Sequence, residues 1–189
     1  MYHIMGVNDA DRFMEAKANN AIENYLPVVN EIKLDAEIVI DKNTHPKYPL
    51  RRNYRVHLQG IIDRMFLEDG GYIPMELKTG PWKDWKTTMM RKEMAFYQLL
   101  IENCPEETLI ENGLDPEINI THWGWYYPAS NLTYVEEIKK TSMKAVLKGM
   151  AQLLSAYEDE LFPAKFYAKT CVHCSFYDIC DVAQSDGWL

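Results

Sequence analysis

Residues 54–80 read YRVHLQGIIDRMFLEDGGYIPMELKTG. Tyr54–Glu68 is rich in β-branched and aromatic side chains and reads as a strand. Asp69-Gly70-Gly71 carries the residue types that turn a hairpin, because glycine takes positive φ at no steric cost. YIPMELKTG is then the returning strand. Side chains two apart on a strand share a face. Tyr54, Val56, Leu58 and Ile62 form one face of the first strand, and His57, Gln59, Ile61 and Asp63 the other. On the return, Glu76 and Lys78 point the same way while Leu77 points into the opposite layer. The hairpin brings Asp63 beside Glu76, with Lys78 one step further along.

Two facing carboxylates repel unless something positive lies between them. A hard divalent cation fits, since Mg²⁺ and Mn²⁺ take carboxylate oxygens and keep several waters. Lys78 beside such a cation would orient a water of lowered pKa or stabilise charge developing on a phosphate. That is the equipment of metal-assisted phosphodiester hydrolysis. An isolated E-x-K is more simply an exposed cross-strand ion pair, with Asp63 a strand-end residue, because short motifs recur by chance. Context must decide.

The chain around the hairpin supplies that context. NDADRFMEAKANNAIENYLPVV has helical spacing, with Asn8 or Asp9 as its cap. Ile32–Asp41 alternates as a strand, and KNTHPKYPLRRN is a basic, proline-rich loop. A helix follows at TTMMRKEMAFYQLLIEN, then strands at INITHWGWYYPA and LTYVEEIK. SMKAVLKGMAQLLSAYEDELF is a long helix with Val146, Met150, Leu153, Tyr157 and Leu161 along one face. The order of helix, three strands, helix, two strands, helix and cysteine tail predicts an α/β fold with a central mixed β-sheet flanked by helices. With 189 residues, one domain spanning 1–189 is expected.

The formal net charge of −8 argues against a protein that coats nucleic acid non-specifically, but not against one that holds it in a local basic groove. No apolar run reaches the ~18 residues of a membrane helix. MYHIMGVNDADRF lacks the cationic-then-apolar order of a secretory signal, so a cytoplasmic protein is expected. Of four cysteines, Cys171, Cys174 and Cys180 form a C-x2-C-x5-C array. In a reducing compartment such clustering favours a metal site over disulfides, with zinc or an iron–sulfur cluster as occupant. Three reduced, buried thiols are the alternative.

GIIDRM followed by MELKTG resembles the PD-(D/E)XK nuclease superfamily, whose pattern is G-x-x-D, a hairpin, then E-x-K. The trailing Thr-Gly is typical of its RecB-like branch, which also carries a Q-x-x-x-Y motif on the next helix. Here RKEMAFYQLLIE sets Glu93 and Tyr97 at i, i+4 on one helical face. Tyr97 matches the motif, and Glu93 stands where the family has glutamine. CVHCSFYDIC after Phe162-Pro163 is similar to the tail of RecB-like nucleases that carry a [4Fe–4S] cluster, among them the CRISPR-associated exonucleases. There a further upstream cysteine completes the cluster. This chain has none before Cys104, which leaves the fourth ligand open between Cys104, His173 and a residue of another segment or partner. Asn19 occupies about the position of the family's helix histidine. Glu37 matches a glutamate on the preceding strand.

The resemblance implies a restriction-endonuclease-like core with a cysteine-stapled tail at about 162–181. It implies a metal-dependent DNA exonuclease acting on single-stranded DNA or duplex ends, in repair, recombination, phage replication or CRISPR spacer processing. Asp63, Glu76 and the main-chain carbonyl of Leu77 would hold Mg²⁺ or Mn²⁺. Lys78 would position or activate the attacking water, and Tyr97 and Glu93 would orient the site. Cys171, Cys174 and Cys180 would hold [4Fe–4S], with Zn²⁺ the alternative. Partners would be DNA and other nuclease, helicase or CRISPR adaptation proteins. A nucleic-acid-binding or adaptor protein with this fold and impaired chemistry is the rival, as is a zinc-stapled domain without nuclease function.

Basic residues offer places for nucleic acid to lie. Lys83, Lys86, Arg91 and Lys92 are interleaved with Trp82 and Trp85, and such a mixture suits single-stranded DNA, with cations on phosphates and rings on bases. Packing of the two tryptophans into the core is the competing reading. Arg51, Arg52 and Arg55 flank the second strand. Lys140, Lys144 and Lys148 form a stripe whose simpler reading is a solvated helix face.

Overall fold

The computed structural model describes residues 2–19, 26–162, 164 and 166–185. In chain order the elements are α1 (Tyr2–Ala18), β1 (Val29–Ile40), β2 (Tyr54–Glu68), β3 (Gly71–Leu77), α2 (Thr87–Asn103), α3 (Glu106–Glu111), β4 (His122–Tyr127), β5 (Leu132–Glu137), α4 (Lys140–Glu158), α5 (Ala168–Cys171) and α6 (Asp181–Ser185). A 3-10 turn at Asp84–Lys86 leads into α2.

The hairpin forms where the residues require it. Asp69 and Gly70 have φ of 50° and 75°, the paired left-handed residues that a two-residue turn needs to match strand twist. β2 and β3 then pair antiparallel, from Glu68↔Gly71 to Arg64↔Met75. β1 adds on the other side of β2, from Val29↔Met65 to Ile40↔Tyr54. β3 pairs in parallel with β4, and such a pairing needs a long crossover. α2 and α3 supply it. β5 returns antiparallel on β4, which gives a five-stranded sheet in the order β1-β2-β3-β4-β5. The single parallel pair makes it mixed, as expected from the order of elements.

Alternation decides which face each strand buries. Ile32, Leu34, Ala36, Ile38 and Ile40 are buried on β1, and the residues between them are exposed. They meet α2, whose Met90, Met94, Ala95 and Leu100 are buried to 0% exposure. Gly60 is what lets α2 come so close. A Cβ there would lie 2.6 Å from Leu100 Cδ1 and 3.7 Å from Tyr97 Cε1. The other face of the sheet meets α1, where the Arg12 guanidinium sits 4.7 Å from the Tyr126 ring centroid and donates to Thr133 Oγ1.

Three readings of the sequence are corrected. α1 begins at Tyr2, so Asn8 and Asp9 are not caps but mid-helix residues. Asn8 donates to the Pro128 carbonyl at 2.7 Å, and Asp9 accepts from the Tyr126 hydroxyl at 3.2 Å. The expected continuation of that helix over 20–25 lies outside the described residues. On α4, Leu153, Tyr157 and Leu161 do not extend the buried stripe: they are 62–64% exposed. The packed stripe runs instead through Met143, Val146, Leu147, Met150 and Leu154, because the apolar side facing α2 is rotated from the row chosen in the sequence. On β2, His57, Gln59 and Ile61 face solvent, but Asp63 does not join them. Burial passes through Leu58 and Ile62 and then slips by one residue to Met65. At the slip, Glu31 of β1 takes φ 52° between the pairs Asn30↔Arg64 and Ile32↔Ile62. Such a local irregularity re-aims side chains, and it brings Asp63 half inside.

Gly60→Val should cost about 1–3 kcal/mol through overpacking against Leu100. Thermal unfolding checks this: the variant should melt several degrees below wild type.

Candidate active site

β2, β3 and α2 converge on Glu76. The hairpin register, extended by one pair beyond Arg64↔Met75, sets Asp63 opposite Glu76. Asp63 Oδ2 accepts from the main-chain N–H of Leu77 at 2.7 Å, which ties the end of β3 to β2. The Lys78 N–H donates to the Tyr126 carbonyl at 2.9 Å, so the ladder to β4 runs one residue past the strand. Lys78 therefore follows Glu76 on the same side. Its Nζ donates to Glu76 Oε1 at 2.5 Å and to Glu93 Oε1 at 2.8 Å. From α2 the Tyr97 hydroxyl donates to Glu76 Oε2 at 2.7 Å. Glu93 and Tyr97, one helical turn apart, thus grip the same strand end.

Glu76 is only 8% exposed, which rules out the surface ion pair that an isolated E-x-K suggests. Burial raises its pKa. The hydrogen bonds from Lys78 and Tyr97 oppose that rise, and the charges of Glu93 and Asp63 add to it. Burial pulls the Lys78 pKa down, but the hydrogen bonds to Glu76 and Glu93 outweigh it and the net direction is up. Lys78 is therefore an ammonium at neutral pH, a donor rather than a base. Burial, followed by the bond to Glu76, pushes the Tyr97 phenol upward, so it too remains a donor. Glu76 and Glu93 flank the one ammonium, and Asp63 lies opposite Glu76. That leaves two uncompensated negative charges if all are ionised.

This donor chemistry suits a hard divalent cation. Asp63, Glu76 and the Leu77 carbonyl offer oxygens only, and a cation that keeps several waters needs no closed protein cage. Among the described residues no three His, Cys, Asp or Glu side chains form a metal-ligating group, so the protein would contribute a partial shell.

The sequence model of the PD-(D/E)XK nuclease superfamily matches residues 6–181. The chain belongs to the PD-(D/E)XK nuclease superfamily. A search of the curated proteins found no match. Members of this superfamily are typically nucleases that use divalent metal ions such as Mg²⁺. In this PD-(D/E)XK protein the G-x-x-D and E-x-K elements have distinct physical tasks. Gly60 admits α2, Asp63 pins the end of β3, and Glu76 and Lys78 face the helix.

Other residues singled out in the sequence lie elsewhere. Glu37 is exposed on β1 and pairs with Arg55 at 3.2 Å. Asn19 lines a cavity of about 320 Å³ between α1 and the opposite face of the sheet, a cavity that neither Asp63 nor Glu76 lines. Arg91 is held by Glu136 through two bonds of 2.6 Å. The Lys86 Nζ donates to the Pro81 carbonyl and lies 5.0 Å from the Tyr127 ring centroid. Trp82 packs on Trp125 and Tyr127, whereas Trp85 is 70% exposed. Lys83 and Lys92 are exposed, as are Lys140, Lys144 and Lys148.

The expected sulfur-ligated cluster has no assembled ligand set among the described residues. Cys174 is exposed, and Cys171 accepts from the Tyr167 N–H at 3.3 Å. Cys104 is 8% exposed within the hydrophobic core, and burial pushes its thiol pKa up, the wrong direction for a thiolate ligand. No helix among the described residues is long and apolar enough to cross a membrane.

One feature of the site was hidden in the sequence. The parallel register sets Trp125 beside Glu76, and the next sets Tyr134 beside Trp125. Strands β4 and β5 were readable, but which residue of β4 would stand next to Glu76 was not.

A stability measurement tests the burial of Glu76. A carboxyl whose folded pKa is raised holds its proton more tightly in the native state. Wild-type stability therefore falls as pH rises from the ordinary carboxylate value through the raised one. Glu76→Gln removes that penalty. It should melt above wild type at pH 7, and the difference should vanish toward pH 4. An equal or lower melting temperature at pH 7 would contradict it.

Proposed function

We propose that this protein is a metal-dependent DNA exonuclease of the RecB-like branch, acting on single-stranded DNA ends. The observation that carries the reading is the buried Glu76 carboxylate, held by Lys78 and Tyr97 and set opposite Asp63. A protein gains no stability from a buried carboxylate of raised pKa, and perturbed groups cluster where chemistry is done. The Thr79-Gly80 sequence after the E-x-K element and Tyr97 on the following helix support the RecB-like assignment.

Asp63, Glu76 and the Leu77 carbonyl would hold Mg²⁺ or Mn²⁺. The cation supplies polarisation of a phosphoryl oxygen and water of lowered pKa. Tyr97 keeps Glu76 oriented by donating to Oε2, so that Oε1 and its remaining lone pairs face Lys78. Glu93 takes one donor of the Lys78 ammonium and Glu76 a second, which leaves a third hydrogen to orient water or a phosphate oxygen. As a cation, Lys78 also stabilises negative charge that grows on the phosphate as the P–O bond breaks.

Degradation of end-labelled single-stranded DNA in Mn²⁺ tests this reading. Wild type should shorten the strand progressively from one end, and Glu76→Ala and Lys78→Ala should each be slower by at least about 10²-fold. Tyr97→Phe should retain more activity than either. Equal rates in all the proteins would discard the site. DNA binding without any metal-dependent turnover in wild type would instead favour an adaptor.

A further inference from the structure

The row of residues that contains Glu76 continues past the carboxylates to the edge of the sheet. Asp63 lies opposite Glu76, Glu76 beside Trp125, and Trp125 opposite Tyr134. Residues paired in this way share a face, here the face that α2 covers. Trp125 is 0% exposed, and its indole N–H has no hydrogen-bond partner. Stacking is what holds the ring. The Trp82 ring lies 6.2 Å from it at 23°, and the Tyr134 ring 4.6 Å from it at 13°. Tyr134 ends the column. It is 36% exposed, and no ring contact is found beyond it among the described residues.

The rim of that exposed ring is cationic. Arg91 reaches Tyr134 from α2, and its guanidinium is fixed by two bonds to Glu136. Lys139 Nζ lies 4.0 Å from the same carboxylate, so two cations face one anion. A flat, rigidly backed ring with surplus positive charge beside it is suited to a nucleobase and its phosphate. A paired, stacked base presents no free face, so the seat favours single strands.

We infer that Tyr134 is the stacking seat for an unpaired base of the substrate, one or two nucleotides from the phosphate that lies at the site of Asp63, Glu76 and Lys78. The seat rests on the nuclease reading above. Adjacent strands lie about 4.8 Å apart, so the β5 backbone stands about 10 Å from that of β3. A nucleotide next to the scissile bond can span that distance, and its base would fix the register of the strand while Lys78 engages the phosphate.

Tyr134→Leu and Tyr134→Phe separate stacking from packing. Leucine still covers Trp125 but offers no π-face, and phenylalanine retains the face without the hydroxyl. With single-stranded substrates, Tyr134→Leu should raise KM by about 5- to 100-fold with kcat little changed, while Tyr134→Phe stays near wild type. A series of substrates with one abasic position moved stepwise from the cleaved end adds a readout that a merely structural role would not move. One position in the series should raise KM for wild type and Tyr134→Phe, and should add nothing for Tyr134→Leu. If wild type cleaves but KM is the same in all three proteins, or only kcat falls in Tyr134→Leu, or no abasic position matters, the seat is wrong and the nuclease reading stands. If wild type fails to cleave in Mg²⁺ and in Mn²⁺, both are wrong.

Discussion

A carboxylate held where water hardly reaches organises this molecule. Glu76 would be cheaper protonated or replaced, yet three elements are arranged around keeping it in place. β3 carries it inward, α2 supplies Tyr97 and Glu93, and Lys78 closes the gap two residues along the chain. Each partner satisfies one atom of another, which is the condition under which a buried polar group is tolerated. What the set does not satisfy is charge: Asp63 and Glu93 both push the Glu76 pKa upward. That residual negative charge is what a divalent cation would offset at the proposed site.

The architecture follows from bringing those elements within reach. The tight turn at Asp69-Gly70 sets the hairpin register and with it the Asp63 and Glu76 pairing. The bare backbone of Gly60 lowers α2 onto β2 until Tyr97 reaches the strand end. The parallel pairing of β3 with β4 encloses the far side of Glu76 with Trp125. The large aromatic residues of β4 thus form the dry wall of the site as well as part of the core, and low local dielectric strengthens every charge interaction beside them.

Much of this was legible in the residues because the hairpin is local. Strand boundaries at Tyr54 and Glu68, the turn, and the α2 limits at Thr87 and Asn103 all emerge from side-chain type and spacing. Glu93 and Tyr97 could be matched to the site only through the family resemblance, with their i, i+4 spacing placing both on one helical face. Long-range geometry was less accessible. The slip at Ile62–Met65 depends on Glu31 across the ladder, and no alternation within β2 announces it. The buried side of α4 depends on where α2 lies, so helical spacing alone does not show that Leu153 and Tyr157 stay exposed. The pairing of Trp125 with Glu76 is set by a crossover of more than forty residues. The cysteine spacing points to a ligand set, but no such set is assembled among the described residues.

The central claim is that Asp63 and Glu76 form one divalent-cation site on a prebuilt scaffold. Calorimetric titration of Mn²⁺ into the wild-type protein, and into the Asp63→Asn and Glu76→Gln variants, tests it most directly. Amides preserve the shape and most hydrogen bonds of these side chains while removing charge. The account predicts saturable binding by wild type and at least about tenfold weaker binding by each variant, with all three proteins folded. Equal Mn²⁺ affinity across the three would contradict it.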